Sequence, residues 1–291
     1  MPSRALAAAA LILNAFVWGV SWWPFRVLQN YGLHPLWATA LIYVFALVCL
    51  FTVRAGAWRG FIKHPVLWWL VLASGLTNVG FNWAVTVGDV VRVVLLFYLM
   101  PAWVVLLAWP LLGEKPTPGS LLRLLLALTG VVIVLKTPDS PWPLPENLAD
   151  WLGLMGGFFF ALTNILPRRL NQTPGEARML AMFGGGAVMA SGVALIGMGL
   201  GLVAAPPAPG MTWLSLALLI SLAFLAGNLA LQYGAAHLSA SATSLIMLSE
   251  VVFASVSSVL LGTGELSTRT LAGGGLILLA SLLSVLSFGQ R

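Results

Sequence analysis

The stretch NVGFNWAVTVGDVVRVVLLFYLMP, which runs from Asn78 to Pro101, has a counterpart in the second half of the chain. The segment NLALQYGAAHLSASATSLIMLSEV, from Asn228 to Val251, aligns with it at an offset of 150 residues. The paired polar and apolar positions are Asn78 and Asn228, Asn82 and Gln232, Trp83 and Tyr233, and Leu95 and Leu245. This repeat predicts a chain built from two related halves.

Composition places the chain in a membrane. Hydrophobic residues make up 60% of its 291 residues and charged residues only 8%, whereas soluble domains carry about 25% charged residues. A soluble protein of this size could not hide so much apolar surface. The formal net charge of +6 does not indicate a nucleic-acid partner, because the basic residues are dispersed over short connections rather than clustered.

Ten apolar segments have the length of about 20 residues that a helix needs to cross hydrocarbon. Numbered as spans 1 to 10, they cover residues 5–27, 35–54, 65–86, 90–110, 118–136, 149–168, 178–203, 211–233, 240–261 and 268–288. No alternating pattern suggests strands, and lipid accepts only helices or closed barrels. The sequence therefore predicts an all-α polytopic membrane protein with ten transmembrane helices.

The halves are predicted to be residues 1–140 and 141–291, joined by a proline-rich linker at 136–147. Each half holds five spans, an odd number, so the second half starts on the opposite side and the two repeats are inverted. With this topology, 10 of the 14 Lys and Arg residues fall on the side of the termini. Because basic loops face the cytoplasm, both termini are predicted to be cytoplasmic.

Several motifs carry a family resemblance. They are NAFVWGVSWWPF in span 1, the two aligned segments that begin at Asn78 and Asn228, LLGEKPTP at 111–118 and LLGTGELST at 260–268. With these motifs the whole chain resembles the drug/metabolite transporter superfamily, in its ten-helix group of EamA-type paired repeats. The first span is most similar to the bacterial aromatic amino-acid exporters. One departure is in span 9, where the family often has Glu-Pro and this chain has Glu250 followed by Val251.

The resemblance implies a secondary transporter of the bacterial inner membrane that works by alternating access. It also implies a central cavity formed by spans 1, 3, 4, 6, 8 and 9, with spans 5 and 10 as scaffold. The expected substrates are aromatic amino acids and related small metabolites. Other amino acids, purines or drugs remain the alternative.

Polar groups inside membrane spans are the first candidates for substrate binding, since they are rarely placed there without a function. Asn78 and Asn82 share one helix face, and so do Asn228 and Gln232. Amides offer donors and acceptors together, which a zwitterionic amino acid requires. Interhelical hydrogen bonding is the competing interpretation. Glu250, the one acid deep in a span, is either a proton-coupling site or a structural acid.

A second group of candidates would suit an aromatic substrate or extend the polar lining. They are Trp18, Tyr98, Met100 and Trp103 as ring-contacting residues, and Ser21, Asn164 and Ser244 as small polar groups. Rings and methionine sulfur favour contact with aromatic ligands. Ordinary packing is the competing interpretation for each.

Prolines are the candidate hinges. Pro24 and Pro167 align at an offset of 143 residues and would lie at opposite mouths of the cavity, and Pro101 interrupts span 4. Two glycine triplets, Gly184–Gly186 and Gly273–Gly275, predict close helix contacts.

Enzymatic activity is not expected, because the acids and histidines are scattered and the chain has neither an HExxH nor a P-loop motif. A membrane enzyme acting on lipid is therefore the less favoured class. No metal or other cofactor is expected. The expected partners are a small-molecule substrate and the lipid bilayer, and a monomer is compatible with the sequence.

Overall fold

The computed structural model describes residues 4–54, 56–113, 115–136, 144–170, 172–238, 243, 246–247, 249–262 and 267–288. Within these residues every regular element is a helix. The helices are Arg4–Val20, Trp22–Asn30, Pro35–Val53, Ala57–Lys63, Leu67–Val87, Val90–Phe97, Met100–Leu112, Pro118–Leu135, Leu148–Arg169, Gly175–Gly199, Met211–His237, Ser249–Leu260 and Thr268–Phe288.

The ten predicted spans are confirmed as helical segments, although residues 240–242, 244–245 and 248 of span 9 lie outside the described residues. Eight of them are long and apolar enough to cross a membrane, and Ser249–Leu260 and Thr268–Ala280 are shorter apolar helices in spans 9 and 10. Span 1 combines Arg4–Val20 with Trp22–Asn30, and span 4 combines Val90–Phe97 with Met100–Leu112. The short helix Ala57–Lys63, between spans 2 and 3, was not predicted.

Two spans are interrupted where proline removes a backbone donor. The first helix of span 1 ends at Val20 and the first helix of span 4 ends at Phe97. Each of these residues lies four positions before a proline, Pro24 or Pro101, whose missing N–H would have bonded its carbonyl. The chain tightens at each break, and the Leu99 N–H donates to the carbonyl only three residues back, at 3.2 Å.

Span 6 is continuous at its candidate hinge, Pro167. The helix Leu148–Arg169 runs through Pro167 without an interruption, so the sequence match between Pro24 and Pro167 does not extend to a matching helix break. Pro167 lies only two residues before the end of this helix, where few further helical bonds remain to be disturbed. Its hinge role stays a prediction.

Spans 5 and 10 make the close contact that the glycine pattern predicted. A Cβ atom on Gly273 would lie 2.6 Å from the carbonyl oxygen of Gly130 and 2.7 Å from a methyl group of Val134. The first triplet is confirmed as well, because Gly185 packs against the backbone of Val71 in span 3. Both contacts lie within this chain, so these glycines serve its own helix packing.

An ion pair joins the two repeats at one end of the bundle. Arg92 at the start of span 4 donates to both carboxylate oxygens of Asp150 at the start of span 6, each at 2.8 Å. The same guanidinium donates to the carbonyl of Val134 at 3.0 Å. Because Asp150 is 1% exposed, this paired geometry fixes the relative position of spans 4, 5 and 6.

The glycine contact predicts opposite effects for two neighbouring substitutions. Gly273→Ala should lower the free energy of unfolding by about 1–3 kcal/mol, because the added methyl overpacks the contact between spans 5 and 10. SDS-induced unfolding in mixed micelles measures this quantity.

Gly275→Ala is the matched control, since nothing lies within 4 Å of its added Cβ. Alanine is the better helix former, so stability should be retained or raised. An equal loss in both variants would show that the contact does not hold spans 5 and 10 together.

Candidate functional site

A cavity of about 140 Å³ lies inside the bundle, between the two repeats. Spans 1 to 4 and 6 to 9 line it, whereas spans 5 and 10 contribute none of the described lining residues. The lining residues are Asn14, Trp18, Tyr43, Ser74, Thr77, Asn78, Phe81, Phe97, Phe160, Thr163, Met182, Phe183, Asn228, Leu231, Met247 and Glu250. Spans 2 and 7, which supply Tyr43, Met182 and Phe183, were not among the spans expected from the resemblance.

Equivalent residues of the two repeats line the cavity. Three pairs of residues aligned at the offset of 150 both face it, namely Asn78 with Asn228, Phe81 with Leu231, and Phe97 with Met247. Equivalent positions of inverted repeats meet near the middle of the membrane. The cavity is thus built from matching faces of spans 3 and 8 and of spans 4 and 9.

Asn78 lines the cavity and is also held by the protein. Its Oδ1 accepts from the hydroxyl of Tyr43 in span 2 at 2.5 Å, and its Nδ2 donates to the carbonyl of Ser74 at 2.8 Å. The two interpretations of this residue, cavity lining and interhelical bonding, therefore apply together. Asn228 also faces the cavity.

Asn82 differs from Asn78, although both lie on one face of the same helix. It is fully buried away from the cavity lining, and its Nδ2 donates to the hydroxyl of Thr39 at 3.1 Å. Among the described residues its Oδ1 has no hydrogen-bond partner. Asn82 joins span 3 to span 2, as expected for an amide between membrane helices.

Glu250 brings a carboxyl group to the cavity wall. Its Oε2 accepts from the hydroxyl of Tyr98, at the break of span 4, at 3.2 Å. Span 1 packs closely behind this point, because a Cβ on Gly19 would lie 2.7 Å from the Glu250 carbonyl oxygen. The pair connects the interrupted part of span 4 to spans 1 and 9.

Aromatic rings form one wall of the cavity. The ring of Trp18 stacks on Phe224, with centroids 4.5 Å apart and an interplanar angle of 18°. Further rings continue from it, since Phe81 lies 6.3 Å from Trp18, and Phe97 lies 4.8 Å from Phe81. Phe160 of span 6 follows at 5.1 Å from Phe97. A planar ligand would find edge and face contacts along this wall.

The remaining candidates lie outside the cavity lining. The hydroxyl of Ser21 donates to the carbonyl of Trp18 at 2.7 Å. Asn164 is exposed and donates to Met100 Sδ at 3.6 Å, and the ring of Trp103 packs edge-on against Phe158.

Four candidates fall wholly or partly outside the described structure. Ser244 lies outside the described residues, as do the side chains of Gln232, Pro101 and Pro167.

Asn14 was not among the predicted site residues, although it is the first residue of the motif quoted for span 1. Asn14 is 1% exposed and lines the cavity. An amide within an otherwise apolar span is the same signal that selected Asn78, so Asn14 could have been found. Tyr43 was also missed, and no local pattern marks it, because its importance comes from the position of Asn78 on another helix.

The described residues contain no group of three or more His, Cys, Asp or Glu side chains close enough to hold a metal ion.

Comparison with known proteins identifies a family match over both halves. The pattern of the EamA-like transporter family matches residues 5–136 and, separately, residues 147–286. Each match contains five spans, so the repeats have opposite orientations in the membrane. A solved structure titled "Crystal structure of protein" is similar in fold, with a TM-score of 0.57 and 18% identity over 99% of this chain and 100% of that chain. A search of curated proteins finds no match.

The bond between Tyr43 and Asn78 gives a prediction about stability. Tyr43→Phe should lower the free energy of unfolding by about 0.6 kcal/mol, the average for polar pairs between membrane helices, and by no more than about 1.7 kcal/mol, the largest value for such pairs. The variant keeps the ring and removes only the hydroxyl that donates to Asn78.

The control is Tyr31→Phe, which removes a hydroxyl from a residue that is 48% exposed, and SDS-induced unfolding should not distinguish it from the parent protein. A Tyr43→Phe protein as stable as the parent would contradict a holding role for this bond.

Proposed function

Because the chain belongs to the EamA-like transporter family, we propose that it is a secondary transporter that exports aromatic amino acids and related small metabolites. Membership makes it a multi-pass membrane protein with a transporter role. The substrate, the direction of transport and the bacterial inner membrane as its location are the proposed parts. Cytoplasmic termini, suggested by the distribution of Lys and Arg, complete the proposed topology.

The observation that carries the substrate proposal is the composition of the cavity. An aromatic wall that includes Trp18, Phe81 and Phe97 faces the same space as the amides of Asn14 and Asn228 and the carboxyl group of Glu250. An aromatic amino acid presents a ring at one end and charged donor and acceptor groups at the other. In an otherwise apolar pocket, a small number of polar groups fixes the orientation of such a ligand.

Alternating access requires parts that move around a site between the repeats. The helix breaks after Val20 and Phe97 supply such points in spans 1 and 4, beside Trp18 and Tyr98. The glycine contact between spans 5 and 10 suits a scaffold. A ligand shifts the balance between inward-open and outward-open forms only if it binds one of them more tightly, and contacts with the residues at these breaks would supply that difference.

A broader exporter of other amino acids, purines or drugs is the second candidate. Met182 and Met247 in the cavity wall favour it, because methionine adapts to ligands of different shape. The two candidates differ in how strictly the protein selects its substrate.

Uptake into proteoliposomes tests the proposal. The purified protein should move tryptophan, phenylalanine and tyrosine faster than aliphatic amino acids, and the assay is run with and without a pH gradient to determine the driving force. Trp18→Leu should slow transport of aromatic amino acids by about two- to tenfold, the value of one lost ring contact of about 0.5–1.5 kcal/mol.

Trp69→Leu is the matched control, since this tryptophan is 63% exposed and lies outside the cavity lining, and it should transport as the parent does. Movement of purines or drugs at comparable rates would favour the broader exporter. No movement of any aromatic amino acid would refute the proposal.

A further inference from the structure

Asn14 is an amide with unused hydrogen-bonding capacity. It lies within the helix Arg4–Val20, faces the cavity and is 1% exposed. Among the described residues neither its Nδ2 nor its Oδ1 has a hydrogen-bond partner. Gly227 of span 8 packs against it, because a Cβ on Gly227 would lie 3.2 Å from Asn14 Nδ2.

This state is unusual for a buried amide. A donor and an acceptor left unpaired in an apolar interior both lower stability, and hydrocarbon supplies no partner for either. Asn78, which lines the same cavity, shows the usual solution, with bonds to Tyr43 and to the Ser74 carbonyl. The two amides therefore differ, because the protein itself supplies the hydrogen-bond partners of Asn78.

The surroundings of Asn14 indicate what its partner is. Trp18 lies one helical turn further along the same face, where its ring is fixed by stacking on Phe224. A ligand at this place meets an aromatic surface and a neutral amide that needs one acceptor and one donor at once. Glu250 adds a further acceptor to the same cavity.

We infer that Asn14 recognises the head group of an aromatic α-amino acid, with Nδ2 donating to the ligand carboxylate and Oδ1 accepting from its ammonium group. The ligand ring then lies along the wall that begins at Trp18. This assignment rests on the proposed function and goes beyond it by naming the residue that distinguishes a zwitterionic amino acid from other aromatic molecules.

The test compares stability and affinity in the full-length protein in lipid nanodiscs. Asn14→Leu replaces the amide with an apolar side chain of similar volume. It should leave the melting temperature unchanged or raise it, because the unpaired groups are gone. It should weaken binding of L-tryptophan by about tenfold or more, the value of a hydrogen bond to a charged group, yet leave binding of indole unchanged, since indole has neither head group.

Ser221→Ala is the opposite control. The hydroxyl of Ser221 is 1% exposed, lies outside the cavity lining and donates to the carbonyl of Ile42 at 2.8 Å. Its removal should lower the melting temperature and leave the affinity for L-tryptophan unchanged.

Three results would overturn the inference while leaving the proposed function intact. They are unchanged binding of L-tryptophan by Asn14→Leu, equal loss of L-tryptophan and indole, and loss of binding together with a lower melting temperature, which marks an amide held by structural water. If the parent protein itself fails to bind L-tryptophan, the proposed function fails and the inference fails with it.

Discussion

Hydrocarbon offers no hydrogen-bond partner to a polar group, and this constraint shapes every part of the protein. It explains why the described backbone is helical wherever it is regular. It also explains why the hydroxyls of Ser74, Thr77 and Thr163 turn back to carbonyls of their own helices, at 2.7 to 2.9 Å. Of the buried polar groups without a hydrogen-bond partner among the described residues, the amide of Asn14 faces the cavity between the repeats, whereas Asn82 Oδ1 and Trp103 Nε1 lie outside the cavity lining.

The fold was largely predictable because its signals are local or repeated. Span length and apolar composition located ten helices, and the alignment of Asn78 with Asn228 revealed the repeat. The breaks after Val20 and Phe97 follow from prolines four residues later. The helix of span 6 is not interrupted at Pro167, because this proline lies near the end of the helix. Where a helix ends depends on its cap and on the loop that follows, and the residues next to the proline do not reveal this.

The candidate site was only partly predictable, because a cavity depends on how each helix is rotated against its neighbours. By their spacing, Asn78 and Asn82 share a helix face. The amide of Asn82 nevertheless donates to Thr39 of span 2, whereas Asn78 accepts from Tyr43 and faces the cavity. Residues on other helices therefore determine the hydrogen-bond partner of each amide. Asn14 shows the converse case, in which the local signal was present and marked a residue that faces the cavity.

If the cavity between the repeats holds an aromatic amino acid, the position of a bound ligand shows it most directly. Crystals of the protein grown with 5-bromo-L-tryptophan would locate the bromine by its anomalous signal. We expect one bromine in the cavity, beside the ring of Trp18, with the ligand head group at Asn14. A bromine found only on the lipid-facing surface, or a cavity without bromine at saturating ligand, would contradict it.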